Sequence, residues 1–245
     1  MKKNRLKLNV EKTHVMLLGT NQRLKNINSN LIVEIDGTEI KGDSENAEKL
    51  PGVYILPNLK WTKQITEMKI KLKKRLAGLN MLKYFVPFPI LKTLAEGLFM
   101  SVMSYCLSLF GGCDRAELHS LQILQNRAAE IVTRAPPRTP RVSMFERTEW
   151  LTVNQLVTYS TILNVYKISR IRKPNYLSKL LSSVNYNGHI ILPKYNLELA
   201  EKSFVIRGSK LWNSLPASLK EIKTIGLFKQ KLREWVKENV PMFVD

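Results

Sequence analysis

From Ile90 to Phe110 the chain is apolar almost all round, with Leu94, Leu98, Phe99, Val102, Met103, Tyr105, Leu107 and Leu109 leaving no polar face. A helix of that kind has to be buried on every side, in lipid or at the centre of a bundle. Lys92 and Glu96 interrupt its first turns and Gly111-Gly112 end it. The uncharged part therefore barely reaches the length of a bilayer core, and the expectation is a buried bundle helix and no membrane span.

Its neighbours have the matching pattern. Ahead of it, Ile65, Met68, Leu72, Leu76 and Leu79 recur every three or four residues and predict an amphipathic helix over 62–85. Lys63, Lys71 and Lys74 lie off that stripe, with Lys69, Lys73 and Arg75 along its edges; taken alone, these cations suit a solvated face as well as a phosphate-binding one. Val86-Pro87-Phe88-Pro89 stops the helix and opens the next. After the apolar run, Asp114 with Glu117 three residues on signals an N-terminus, and Leu118, Leu121, Leu124, Ala128 and Ile131 form a third stripe. Residues 62–134 thus read as a three-helix bundle. The three prolines and three arginines between Arg134 and Arg141 mark a junction, and the arginines suit either a phosphate clamp or a solvated linker.

Residues 135–245 also read as helical. Thr152 with Gln155 forms a capping box before a helix to about Arg172, Pro174 can open a shorter helix, and Thr224 to Val240 closes the chain with Leu227, Phe228, Leu232 and Trp235 along one side. Asn187-Gly188 reads as a turn and His189 to Leu192 as a short extended run.

The first 61 residues differ. His14 to Leu18, Leu31 to Ile35 returning through Asp36-Gly37 to Thr38-Glu39-Ile40, and Gly52 to Ile55 are short strand candidates with almost no helix to cover them. The fold class expected is therefore α+β, mainly α: a small antiparallel sheet at the N-terminus, a three-helix bundle, and a helical C-terminal region. The strand edge left open would make residues 1–61 the least stable part in isolation.

A formal net charge of +19 favours an anionic partner, because surface lysines and arginines gain by releasing counterions from phosphates. Nucleic acid is the first choice. Cys106 and Cys113 have no Cys or His pair at metal spacing and suggest free thiols, and Met1-Lys2-Lys3-Asn4-Arg5 does not lead into a signal-peptide core. An intracellular protein, nuclear or cytoplasmic and not secreted, is expected.

The order of residues in the first segment resembles the end of the palm in reverse transcriptases of non-LTR retrotransposons, the jockey-like and chicken-repeat-like elements. Leu6-Lys7-Leu8-Asn9-Val10-Glu11-Lys12-Thr13 is similar to the family's Leu-x-Leu-Asn-x-x-Lys-Thr, Gly52-Val53 to its primer-grip turn, and Leu59-Lys60-Trp61 to the Leu-x-Trp before the thumb. Pro51 departs from the large apolar residue usual before the primer-grip glycine, and a proline is poorly placed inside a sheet. Further on, Leu124-Gln125-Asn126-Arg127, Glu149-Trp150-Leu151-Thr152-Val153, Tyr176 to Leu181 and Trp212-Asn213-x-Leu215-Pro216 resemble the region after the polymerase. The resemblance implies a partial palm with primer grip (1–61), a thumb (62–134) and a C-terminal region (135–245). It also implies template-primer contacts, with RNA or an RNA–DNA duplex, through Gly52, Val53, Lys63, Lys69, Lys71, Lys73, Lys74 and Arg75.

Nucleotidyl transfer requires paired carboxylates holding two magnesium ions. The aspartates here are Asp36, Asp43, Asp114 and Asp245, explained by a turn, a polar loop, a helix cap and the terminus, and none stands in a Tyr-x-Asp-Asp hairpin. In the family that hairpin comes just before the segment where this chain starts. The chain is therefore expected to hold no metal or other cofactor and to be inactive alone, magnesium belonging to the complete polymerase. Lys12 matches a palm lysine that the family uses on the leaving group, and without metal nearby it reads as a surface lysine. His14, His119 and His189 are scattered and form no catalytic constellation. Two other readings stay open: a helical protein-interaction module without nucleic-acid function, and a decayed reading frame.

Overall fold

The computed structural model describes Asn9 and residues 12–26, 32–35, 37–43, 46–185 and 188–242. The strand and turn readings that involve Leu6 to Leu8, Val10, Glu11, Leu31, Asp36 and Asn187, and the readings of Asp245 and of the charged first five residues, lie outside the described residues. The fold is mainly helical with two small sheets near the N-terminus, as the α+β reading required. It divides into two compact units, residues 1–67 and 68–245.

Unit 1 holds the strands. β1 (Val15–Met16) is followed by a six-residue helix, α1 (Asn21–Asn26), then β2 (Ile32–Ile35), β3 (Thr38–Asp43), β4 (Glu48–Leu50) and β5 (Val53–Ile55). β2 and β3 pair antiparallel with Ile35 opposite Thr38, the register of a two-residue loop, and Gly37 takes φ +78° there, as a tight turn requires. Two details differ from the expected single antiparallel sheet. β1 is only two residues long and joins β3 in parallel, and β4 pairs with β5 as a separate two-stranded sheet. Little of this is deeply buried: Val53 and Ile65 belong to the core, whereas Leu18, Ile32 and Leu50 are about half exposed.

α2 (Thr62–Leu82) is the predicted amphipathic helix, and Ile65, Met68, Leu72, Leu76 and Leu79 are all buried. The apolar run after it is not one helix. α3 (Phe88–Ala95) passes into a π-helical turn (Glu96–Met100) and α4 (Ser101–Ser104), then breaks where Tyr105 is extended and Cys106 has φ +55°, before α5 (Leu107–Phe110). The serine hydroxyls compete for the backbone here: Ser101 Oγ donates to Gly97 O and Ser104 Oγ to Met100 O, a habit that bends helices. Nor is the run buried all round. Leu91, Ala95, Phe99, Met103 and Leu107 face the core at intervals of four, and Ile90, Leu98, Tyr105 and Leu109 remain exposed.

α6 (Arg115–Thr133), α7 (Arg141–Thr148), α8 (Val153–Ile171), α9 (Asn175–Ser182), α10 (Glu198–Glu201), α11 (Phe204–Asn213), α12 (Ala217–Lys220) and α13 (Ile225–Asn239) complete unit 2. Both predicted capping boxes are present: Glu117 accepts from the Asp114 amide at 3.2 Å, and Gln155 accepts from the Thr152 amide at 3.1 Å. α8 is the hub, packing against α5, α6, α9, α11 and α13. Two of these contacts need glycine. A Cβ on Gly111 would lie 2.6 Å from Val157 Cγ1, and one on Gly208 would lie 2.8 Å from Val165 Cγ2, so the chain approaches α8 closely at both points. Tyr166 of α8 stacks on Phe228 of α13 with centroids 3.9 Å apart, and Trp212 of α11 lies 6.3 Å from the same ring. Trp212, carried by α11, thus packs on the C-terminal helix. The Arg134 to Arg141 segment lies within unit 2, and no helix among the described residues is long and apolar enough to cross a membrane.

Candidate nucleic-acid interface

In unit 1, Gly52 and Val53, whose sequence resembles a primer grip, sit at a hairpin turn. Leu50 pairs with Val53, so Pro51-Gly52 is the loop, with proline first and Gly52 at φ +80° second, the pattern of a type II turn. Pro51 therefore lies in the turn and not inside the sheet, and removes no hydrogen bond from the ladder. Gly52 is exposed and Val53 is buried, so only Gly52 presents itself to a ligand. The Tyr54 amide, on the outer edge of β5, donates to Gln64 Oε1 at 3.0 Å, which partly closes an edge expected to be open. Lys63 pairs with Glu67 at 3.1 Å and holds its ammonium 5.8 Å from the centre of the Tyr54 ring. Its charge is already partly engaged.

Lys12 is exposed in a turn organised by Asn9, whose Oδ1 and carbonyl both accept from the Lys12 amide at 3.2 and 3.3 Å and whose carbonyl accepts from Thr13 Oγ1 at 2.7 Å. The Asn-x-x-Lys-Thr spacing therefore has a local structural cause. His14 Nδ1 lies 3.3 Å from Glu48 Oε1, a contact that ties β1 to β4.

In unit 2, Lys71, Lys73, Lys74 and Arg75 of α2 are exposed and Lys69 is half-buried. Among the described residues no carboxylate forms an ion pair with any of the five. Lys71 and Lys74 stand one turn apart, a rise of about 5 Å.

Beyond the end of α2, and missed in the sequence, stand two bare aromatic rings. Tyr84 is 76% and Phe85 82% exposed, and the Lys83 ammonium lies 4.9 Å from the centre of the Tyr84 ring. Tyr84 and Lys83 border an open cleft of about 350 Å³ with Arg127, Glu130 and Arg134 of the α6 end. Arg127 is held by Glu130 at 2.7 Å, and Arg134 donates to the Val86 carbonyl. Exposed rings between cations are the composition that stacks bases and neutralises phosphates. The signal was present as Lys83-Tyr84-Phe85 but stood outside the helical period.

The segments that resembled the region after the polymerase meet in the interior of unit 2. Gln125 Nε2 donates to the Leu151 carbonyl at 2.8 Å, Gln122 Oε1 accepts from the Val153 amide at 2.8 Å, and Gln122 Nε2 donates to Asn126 Oδ1 at 2.8 Å, all three bonds buried. Asn213 accepts from the Ile190 amide at 2.8 Å and donates to its carbonyl at 3.0 Å. These residues serve packing.

Elsewhere, the Lys202 ammonium joins Asp114 at 2.9 Å and Glu198 at 3.0 Å, contacts that hold its pKa well above the usual lysine range. Arg207, half-buried beside Gly112 and Cys113, has its pKa lowered to about 10 by desolvation and is still charged at neutral pH. Among the described residues no three His, Cys, Asp or Glu side chains come together as a metal site. The chain matches no family model, no curated protein and no solved structure.

Proposed function

We propose that this chain is the palm end, thumb and C-terminal region of a non-LTR retrotransposon reverse transcriptase, and that it binds RNA or an RNA–DNA duplex without polymerising. The observation that carries the binding is the division of α2, whose Leu72, Leu76 and Leu79 are buried while Lys71, Lys73, Lys74 and Arg75 stand exposed with no ion-paired carboxylate among the described residues. The net charge of +19 supports the same reading, as does the ring and cation cluster at Tyr84. Fluorescence anisotropy with an RNA–DNA hybrid tests it: affinity should fall steeply with salt, and no primer extension should occur with magnesium present. Salt-insensitive binding would count against the proposal.

The exposed apolar side chains Ile70, Met81, Tyr84 and Phe85 favour a second reading, a protein-interaction module. On that reading, charge reversal at Lys63, Lys71 and Lys74 leaves the biological activity unchanged.

A further inference from the structure

A second cavity in unit 2, of about 590 Å³, opens between α8, α9 and α11, and no residue of α2 lines it. Its walls carry Arg172, Lys179 and Lys220, and none of the described residues lining it is acidic. Three cations along one cavity wall with no carboxylate among the described lining residues make an unbalanced site. Ser178, with its hydroxyl, and the largely buried Ile190 and Trp212 also line it.

Each cation has donors to spare. Among the described residues neither Arg172 nor Lys179 forms an ion pair. Lys220 Nζ donates to the Asn213 carbonyl at 3.2 Å and keeps two further N–H groups, and its desolvation makes an incoming anion favourable. Asn213 is itself fixed by its two bonds to Ile190, so the Lys220 ammonium is held in place. A dianionic phosphate monoester offers oxygens enough for all three cations and the hydroxyl, which a phosphodiester monoanion inside a strand does not.

We propose that this cavity binds a phosphate monoester, that of a free nucleoside 5′-monophosphate or of the 5′ end of a strand, with Arg172, Lys179 and Lys220 on the phosphate. The site is independent of the α2 interface. Titration of the full chain with AMP and with adenosine, by calorimetry or ligand NMR, tests it. AMP should bind at least tenfold tighter than adenosine, and the double variant Arg172→Gln/Lys179→Gln, both positions exposed, should erase that difference while its circular dichroism matches the parent. Equal affinity for AMP and adenosine, or an AMP affinity unchanged in the folded double variant, overturns the proposal. Lys71→Glu/Lys74→Glu separates the two sites, since it should weaken duplex binding and leave AMP binding as it was. Tighter binding of a 5′-phosphorylated oligonucleotide than of its 5′-hydroxyl counterpart would assign the site to strand ends. Preference for AMP without that gain would assign it to the free nucleotide, and both results support the cavity.

Discussion

Asn213 grips Ile190 on both sides of its residue, accepting from the amide at 2.8 Å and donating to the carbonyl at 3.0 Å. One side chain thereby fixes the short extended segment after α9 onto the end of α11, where Ile190 enters the core cluster with Trp212, Leu215 and Phe228. Asn213→Ala leaves both backbone groups of a buried residue without these partners. The expected loss is about 2 kcal/mol of unfolding free energy. Asn213→Asp keeps the acceptor and loses the donor, so it should cost less in the amide bond but add charge. Urea denaturation of the parent and both variants measures this, and an unchanged midpoint for the alanine variant would show that the two bonds contribute nothing.

The cations of α2 make a separate prediction. Because Lys71 and Lys74 are exposed and Leu72 between them is buried, Lys71→Glu/Lys74→Glu should leave thermal stability within about 0.5 kcal/mol of the parent. If both lysines meet phosphates, duplex affinity should fall about tenfold or more. The slope of log affinity against log salt should also shrink by about two. A slope that does not move would remove both lysines from the interface.

Stability should be uneven along the chain. Ile32 and Leu50 of the small sheets are about half exposed, whereas α8 places Ile162 and Val165 fully inside the core and packs on five other helices. In the full chain, amides of β2 and β3 should open at a cost of about 1–2 kcal/mol. Those of α8 should require most of a global stability of about 5–15 kcal/mol. Hydrogen exchange read by mass spectrometry resolves these segments, and equal protection of β2 and α8 would refute the contrast.

How far such a chain can be read depends on whether a residue's role is local. Capping at Asp114 and Thr152, the stripe of α2 and the two-residue loop before Thr38 are set by neighbours within four positions, and each was legible. The break at Tyr105-Cys106 was not, because an apolar run gives no period from which to infer which side meets the core, and the serines that bend it are ordinary in composition. Pro51 was misjudged by one residue of register: in a strand it would break the ladder, and in the turn it belongs. The α2 lysines were visible as exceptions to a stripe. Tyr84 and the cavity at Lys220 were not, since one lies past a helix end and the other is assembled from residues up to about fifty positions apart.

The Cys113 thiol has its pKa pushed up to about 12, first by burial and then by the nearby Glu117 carboxylate, against a smaller opposing pull from Arg207. The sign of the consequence follows from where the proton sits. Below about pH 9 the thiol is protonated in both the folded and the unfolded chain and contributes no pH dependence. As pH rises from about 9 toward 12 the unfolded thiol ionises while the folded one keeps its proton, so this group makes stability fall, by at most about 1.4 kcal/mol per pH unit. Lysines and tyrosines titrate in the same range, so the informative quantity is the difference between the parent and Cys113→Ser, whose stability should lose less between pH 9 and 11. Alkylation gives a second measure. Thiolate is the reacting species, and at pH 8 iodoacetamide should label Cys113 in the native chain at least about a hundredfold more slowly than in urea. Comparable labelling in both states would mean that Glu117 and the surrounding chain do not hold the proton on the sulfur.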